Sequence, residues 1–292
     1  RVRRQRQMCI RDRGSIDRKW IFMKNKITHV TWTERVWPER GLNGAALKWI
    51  AMCSMFIDHI GAVVLEYGLY YQGGAERMDF LLEQSWGVFL YPLSLLLRIL
   101  GRPAFLIYCF LLVEGFVHTR DRKKYGRNLL LFGLISEIPF NLAVANRVFD
   151  PMYQNVFFEL FIGFLILCWI ERAEKRTYGL KEMDLVCLYT FIGCGAAVLA
   201  GADYNAVGIL IIVFLYRFRN SRRKQTVAAG VLGFIETLFP TLGAGALAAV
   251  PIWFYNGKRG KQQAKFLFYW FYPLHLFVLF LIRWYFLGIP LA

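Results

Sequence analysis

The sequence predicts an all-α protein, a polytopic transmembrane helical bundle with about nine to ten membrane helices. Three observations carry this. Hydrophobic residues make up 57% of the 292 positions and mean hydropathy is +0.38, a balance that would aggregate in a soluble domain. Apolar runs long enough to cross a bilayer recur along the chain. The 36 Lys and Arg residues, against 20 Asp and Glu, gather in short loops between those runs, as membrane orientation requires. That distribution sets nucleic-acid binding aside despite a net charge of +16.

The elements follow in order. Residues 1–41 read as a basic cytoplasmic tail. Residues 1–15 resemble translated adaptor sequence more than an evolved segment and hold no apolar core of a signal peptide, so Met23 is the expected start. Residues 42–292 form one transmembrane domain with no internal repeat. Its first helix is expected near 45–67. The run 81–99 carries Tyr91-Pro92 inside and Glu83 and Arg98 at its ends, and is expected to be interfacial or re-entrant. The run 103–118 opens on Pro103, which suits a first helical turn. The run 126–143 holds Pro139, which frees a carbonyl and bends the helix. Gln154 and Asn155 can cap the run 154–171, and Asp203 can cap 204–218 after the run 184–200. Runs 225–240 and 242–256 precede a last helix, 266–287, whose Tyr269, Trp270, Tyr272 and Pro273 suit an interfacial belt.

Loop charge orients these runs. Connections 119–127, 171–183, 217–224 and 256–265 are basic, whereas 68–80, 144–153, 201–203 and the turn near 241 hold only Arg77 and Arg147. If 81–99 does not cross, nine crossings place every basic loop and the N-terminus inside and the C-terminus outside. The six cysteines form no CxxC pair; Cys53, Cys109, Cys168, Cys187 and Cys194 lie in apolar runs and read as small core hydrophobes.

Ionisable residues inside apolar helices are costly and mark candidate sites. The first helix carries Lys48, Asp58, His59 and Glu66. On an α-helix Lys48, Met55, His59 and Glu66 fall within about 40° of one another, and Asp58 sits about 100° round from His59. Glu114 and His118 are four apart and share a face. Glu137 stands beside the Pro139 bend, Glu159 one turn into its helix, and His275 inside the last. Each has a packing or capping alternative, but together they exceed what packing requires. A histidine with a carboxylate orienter can deprotonate an amine or hydroxyl. No P-loop, GxSxG, HExxH or metal-ligand spacing occurs.

Leu47-Lys48-Trp49-Ile50-Ala51-Met52, followed by Ile57-Asp58-His59-Ile60-Gly61-Ala62, resembles the opening of the TraX family. So do Arg98-Ile99-Leu100-Gly101-Arg102-Pro103, Val113-Glu114-Gly115-Phe116, Ser136-Glu137-Ile138-Pro139-Phe140 and Tyr272-Pro273-Leu274-His275, over about residues 42–287. Lys48 and His59, eleven apart, and the Tyr272–His275 element are also distantly similar to acyltransferase-3 membrane enzymes. The resemblance implies a multi-pass protein of the bacterial cytoplasmic membrane that transfers acetyl from acetyl-CoA to an amine or hydroxyl. The acceptor would be a pilin-like protein N-terminus or an envelope glycan. On that reading His59 is the base, with Asp58, Glu114 and Glu137 the candidate carboxylates. Lys48, Arg102, Arg120, Arg122 and His275 would hold the donor. The alternative is a proton-coupled transporter or lipid-linked flippase, which also suits broken helices and buried carboxylates.

Overall fold

A computed structural model of the chain describes residues 37–71, 83–84, 87–261 and 266–287. The tail to Val36, with Cys9 and Met23, and the loop residue Arg77 lie outside the described residues. Helix α1 (Gly44–His59) begins where the Asn43 side chain accepts the Ala46 N–H at 2.9 Å. The Gly44 and Ala45 amides donate instead to the carbonyls of Lys258 and Arg259. A one-residue parallel bridge from Leu42 to Tyr255 fixes the same junction. Two distant basic segments are thereby joined at the start of α1. Gly260, at φ +77°, is required there because a Cβ would sit 2.5 Å from Asn43 Oδ1.

At Ile60 the α winding changes to a π-helical segment, Ile60–Tyr71. Such windings are rare and turn the chain through fewer degrees per residue. Helices α2 (Gly87–Gly101) and α3 (Pro103–His118) then form a single apolar span of 32 residues. Arg102 between them keeps helical dihedrals, and its amide still donates to the Arg98 carbonyl at 3.0 Å. Pro103 removes one donor without stopping the helix. The run 81–99, expected to be interfacial or re-entrant, is helical in its described part and continues into α3 as one stretch long and apolar enough to cross a membrane.

The remaining elements are α4 (Arg122–Val144), α5 (Val156–Arg176), α6 (Leu180–Leu199), α7 (Asn205–Arg217) and α8 (Arg222–Glu236). They are followed by α9 (Leu238–Thr241), a 3₁₀ turn (Ala244–Ala248), α10 (Ala249–Trp253) and α11 (Leu267–Leu287). Five stretches among the described residues are long and apolar enough to cross a membrane: 44–68, 87–118, 122–144, 180–199 and 267–285. Among the described residues the chain is thus all-helical and of membrane type; α7 and α8 are shorter, and 238–253 is broken into three pieces.

Close helix approach holds the bundle together, as expected where lipid removes the hydrophobic drive between helices. Gly163 faces Ile212, and Gly193 faces Ile166. Gly101 lies so near α1 that a Cβ would stand 2.1 Å from Asp58 Cβ. Arg283 of α11 is fully buried and donates to the carbonyls of Leu142 and Ala143, 2.7 Å each, at the C-terminal end of α4. A cation suits that end of a helix. Of the cysteines expected in the core, only Cys109 is fully buried; Cys168 and Cys194 are half-buried, while Cys53 and Cys187 face outward. An outward face costs little where the surroundings are apolar lipid.

Candidate functional site

Between α1, α3, α4, α5 and α11, opening at the end of the bundle that carries the basic loops, lies a cavity of about 890 Å³. Its lining contains Lys48, Arg120, Lys124, Arg259 and Lys261, against Glu114 and Asp121. The Leu42–Tyr255 junction delivers Arg259 and Lys261 to the same rim as Lys48. Aromatic residues follow inward: Trp49, Tyr108, Tyr125, Phe157, Tyr255, Phe268, Tyr269 and Tyr272. The Lys48 ammonium stands 5.2 Å from the centre of the Phe268 ring.

Met55 belongs to the cavity wall, and His59 is the next residue along that face of α1, one turn deeper. His59 Nδ1 lies 2.6 Å from His275 Nε2 on α11. The two rings stack with centroids 4.9 Å apart. Proton positions follow from the partners. The Phe271 carbonyl, 2.7 Å from His275 Nδ1, can only accept, so that nitrogen carries hydrogen. With both rings neutral, His275 Nε2 is then the acceptor and His59 Nδ1 the donor. His59 Nε2 is left as a bare lone pair. The tautomer of the pair is therefore set by a backbone carbonyl, and it leaves one imidazole lone pair able to accept a proton.

The orienting group is thus a histidine; the carboxylate expected for that role is elsewhere. Asp58 turns toward α2, where Arg98 Nη1 meets its Oδ2 at 2.5 Å and Arg102 Nε lies 3.8 Å from its Oδ1. Glu66 was expected on the His59 face, but the π winding rotates it to the Asp58 side. There it receives Ser94 Oγ at 3.2 Å and stands 3.5 Å from Arg98 Nε.

Arg102, expected at the donor-binding mouth, stands at the far end of α3 from His118. Sixteen residues at about 1.5 Å each separate those levels by roughly 24 Å. Arg122, expected to hold the donor, is bound by both Glu171 oxygens and lies over the Phe116 ring at 4.2 Å. Lys48 and Arg120 do line the cavity. His275, expected against the donor, instead backs His59 and is not in the lining.

Glu114 lies in the cavity wall with His118, whose Nε2 is 3.6 Å from its carboxylate. It is about 18 Å along α3 from Arg102, level with the mouth, and does not touch His59. Glu137 accepts from Asn155 Nδ2 at 2.5 Å and Asn141 Nδ2 at 3.3 Å. Asn155 also caps α5 through the Phe157 amide, as expected. Asp203 does not cap α7: it accepts the Tyr153 hydroxyl. Burial pushes its carboxyl above the usual range, while the Tyr153 hydroxyl and Arg102 pull it back. Sequence reasoning missed Arg98, Arg259, Lys261 and the aromatic wall. The spacing of Arg98 and Arg102, four apart on one helix, was the available signal for the first.

The probable fimbrial assembly protein FimC, serogroup H1, of Dichelobacter nodosus is 29% identical over 256 residues, which span 80% of this chain and 92% of that protein. No solved structure matches. The family described as TraX protein matches residues 43–283, a stretch that takes in the cavity, the histidine pair and the ion network around Asp58. The chain belongs to the TraX family.

Proposed function

We propose that the protein is a membrane acyltransferase that moves acetyl from acetyl-CoA to an amine of a fimbrial subunit. The observation that carries the reading is the cavity, basic at its mouth and aromatic within, that ends one turn short of a histidine pair with a bare Nε2. Five cations suit the phosphates of a coenzyme, and the aromatic walls suit its pantetheine arm. The volume falls within the range of small-molecule sites. His59 Nε2 takes the proton of the attacking amine, and His275 shares the charge that develops on the imidazole. The similarity to a fimbrial assembly protein supports a pilin-type acceptor over an envelope glycan.

Counting α5, α7, α8 and the broken stretch 238–253 as crossings beside the five long, apolar stretches gives nine passes with every described basic loop at one end. In this reading that end is cytoplasmic, as the positive-inside rule favours, where acetyl-CoA is available, and the membrane is the bacterial cytoplasmic membrane. A second reading, a proton-coupled transporter or flippase, draws on the ion network of Asp58, Arg98, Arg102 and Glu66 at the other end. It expects no acetyl transfer.

The test uses purified protein in lipid nanodiscs with [14C]acetyl-CoA and a fimbrial subunit. Label on the subunit N-terminus, lost in His59→Ala, is the expected result. Wild-type protein that transfers no label to the subunit, or full transfer by His59→Ala, overturns the reading.

A further inference from the structure

Acyl transfer from a thioester passes through a tetrahedral species whose oxygen carries negative charge, so the site needs a hydrogen-bond donor as well as a base. The residues around the inner end of the cavity supply one. Tyr272 stands three residues before His275 on α11, and the two side chains share a face. Unlike His275, Tyr272 is part of the cavity wall. Its ring meets His59 edge-on, with centroids 6.1 Å apart, and the His275 ring at 5.7 Å. Phe157 packs perpendicular to it at 5.3 Å. These contacts leave Tyr272 only 3% exposed and fix the ring. Val156, the first residue of α5, also lines the cavity. The phenolic hydroxyl carries a hydrogen that it can donate there.

The geometry points to Tyr272 as the residue that donates a hydrogen bond to the thioester oxygen as it gains charge, a role that rests on the acetyl-transfer reading above. The acceptor nitrogen attacks the carbonyl carbon, and the C–N bond forms as the π pair moves to oxygen. That oxygen receives the Tyr272 hydrogen bond, while His59 Nε2 takes the proton of the attacking amine. Collapse restores the C=O, breaks the C–S bond and returns the proton from His59 to the departing sulfur. The products are an acetylated amine and the free thiol of CoA.

The variant is Tyr272→Phe, which keeps the ring against His59 and Phe157. Transfer from [14C]acetyl-CoA to a synthetic peptide with a free N-terminus is measured beside acetyl-CoA affinity by calorimetry. The expected result is a kcat lower by about 10²- to 10³-fold with an unchanged Kd, the loss typical of one oxyanion donor. A kcat within twofold of wild type, or a loss accounted for by weakened acetyl-CoA binding, overturns the role of Tyr272. A wild-type protein that transfers no acetyl at all is a different outcome, and it overturns the parent reading together with this one.

Discussion

His59 and His275 are 216 residues apart in the chain and 2.6 Å apart in the bundle, joined through Nδ1 of the first and Nε2 of the second. The Phe271 carbonyl fixes the tautomer of both rings. Because the two imidazoles act through one hydrogen bond, their removal is not additive. On the proposed acetyl-transfer reading, the expected outcome is that His59→Ala abolishes transfer and that His275→Ala lowers kcat by about 100-fold by releasing the ring of His59. The double variant is no worse than His59→Ala alone. Single-turnover transfer of labelled acetyl checks this; a double variant slower than His59→Ala by the full His275 factor contradicts it.

At the cavity mouth, charge and packing separate cleanly. If the cavity holds acetyl-CoA as proposed, Lys48→Gln, Arg259→Gln and Lys261→Gln are each expected to weaken its binding several-fold, and less so as salt is raised. They leave binding of acetyl-pantetheine, which lacks the phosphates, unchanged. Arg122→Gln leaves both affinities alone and lowers the melting temperature, because it strips Glu171 of a two-pronged partner. Calorimetric titration of the two ligands reads the difference.

Gly101→Ala is a packing test. The added methyl would stand 2.1 Å from Asp58 Cβ, a backbone-level clash that the facing helix cannot relieve by a rotamer change. Overpacking of this kind costs about 1–3 kcal/mol. It also separates Asp58 from Arg98. The expected outcome is a lower melting temperature in detergent with residual activity in the folded fraction. An unchanged melting temperature contradicts the close approach.

Asp203 links stability to pH. Burial raises its carboxyl in the folded protein above its unfolded value, so the folded state favours the protonated form. Its contribution is fully present below the ordinary carboxylate value of about 4 and is lost as pH rises through the raised native value. Asp203→Asn therefore flattens the stability profile above pH 4 and raises the melting temperature at neutral pH. Asn keeps an oxygen for the Tyr153 hydroxyl. Thermal unfolding across pH in the wild type and the variant measures this.

Much of the fold was legible because apolar runs and basic loops are local properties. The expected first helix, 45–67, falls within the 44–71 helical stretch, and the last, 266–287, with α11. In the 81–99 run a proline and two charged ends read locally as an interruption. Tertiary context instead pairs Arg98 with Asp58 and lets the helix run on into α3. Glu66 misled for a subtler reason. Helical phase assumed α winding throughout, and the π segment, which no local pattern announced, rotates the carboxylate away from His59.

The sequence alone determined a helical membrane protein, its family signature, and His59 as the residue to watch, since each follows from composition, run length or a contiguous motif. Only the tertiary structure decided which group faces His59. That choice depends on helix phase, on the meeting of α1 with α11, and on the Leu42–Tyr255 junction that brings Arg259 and Lys261 to Lys48. These are long-range relationships, set by how packed helices rotate against one another, and adjacency in the chain carries no record of them.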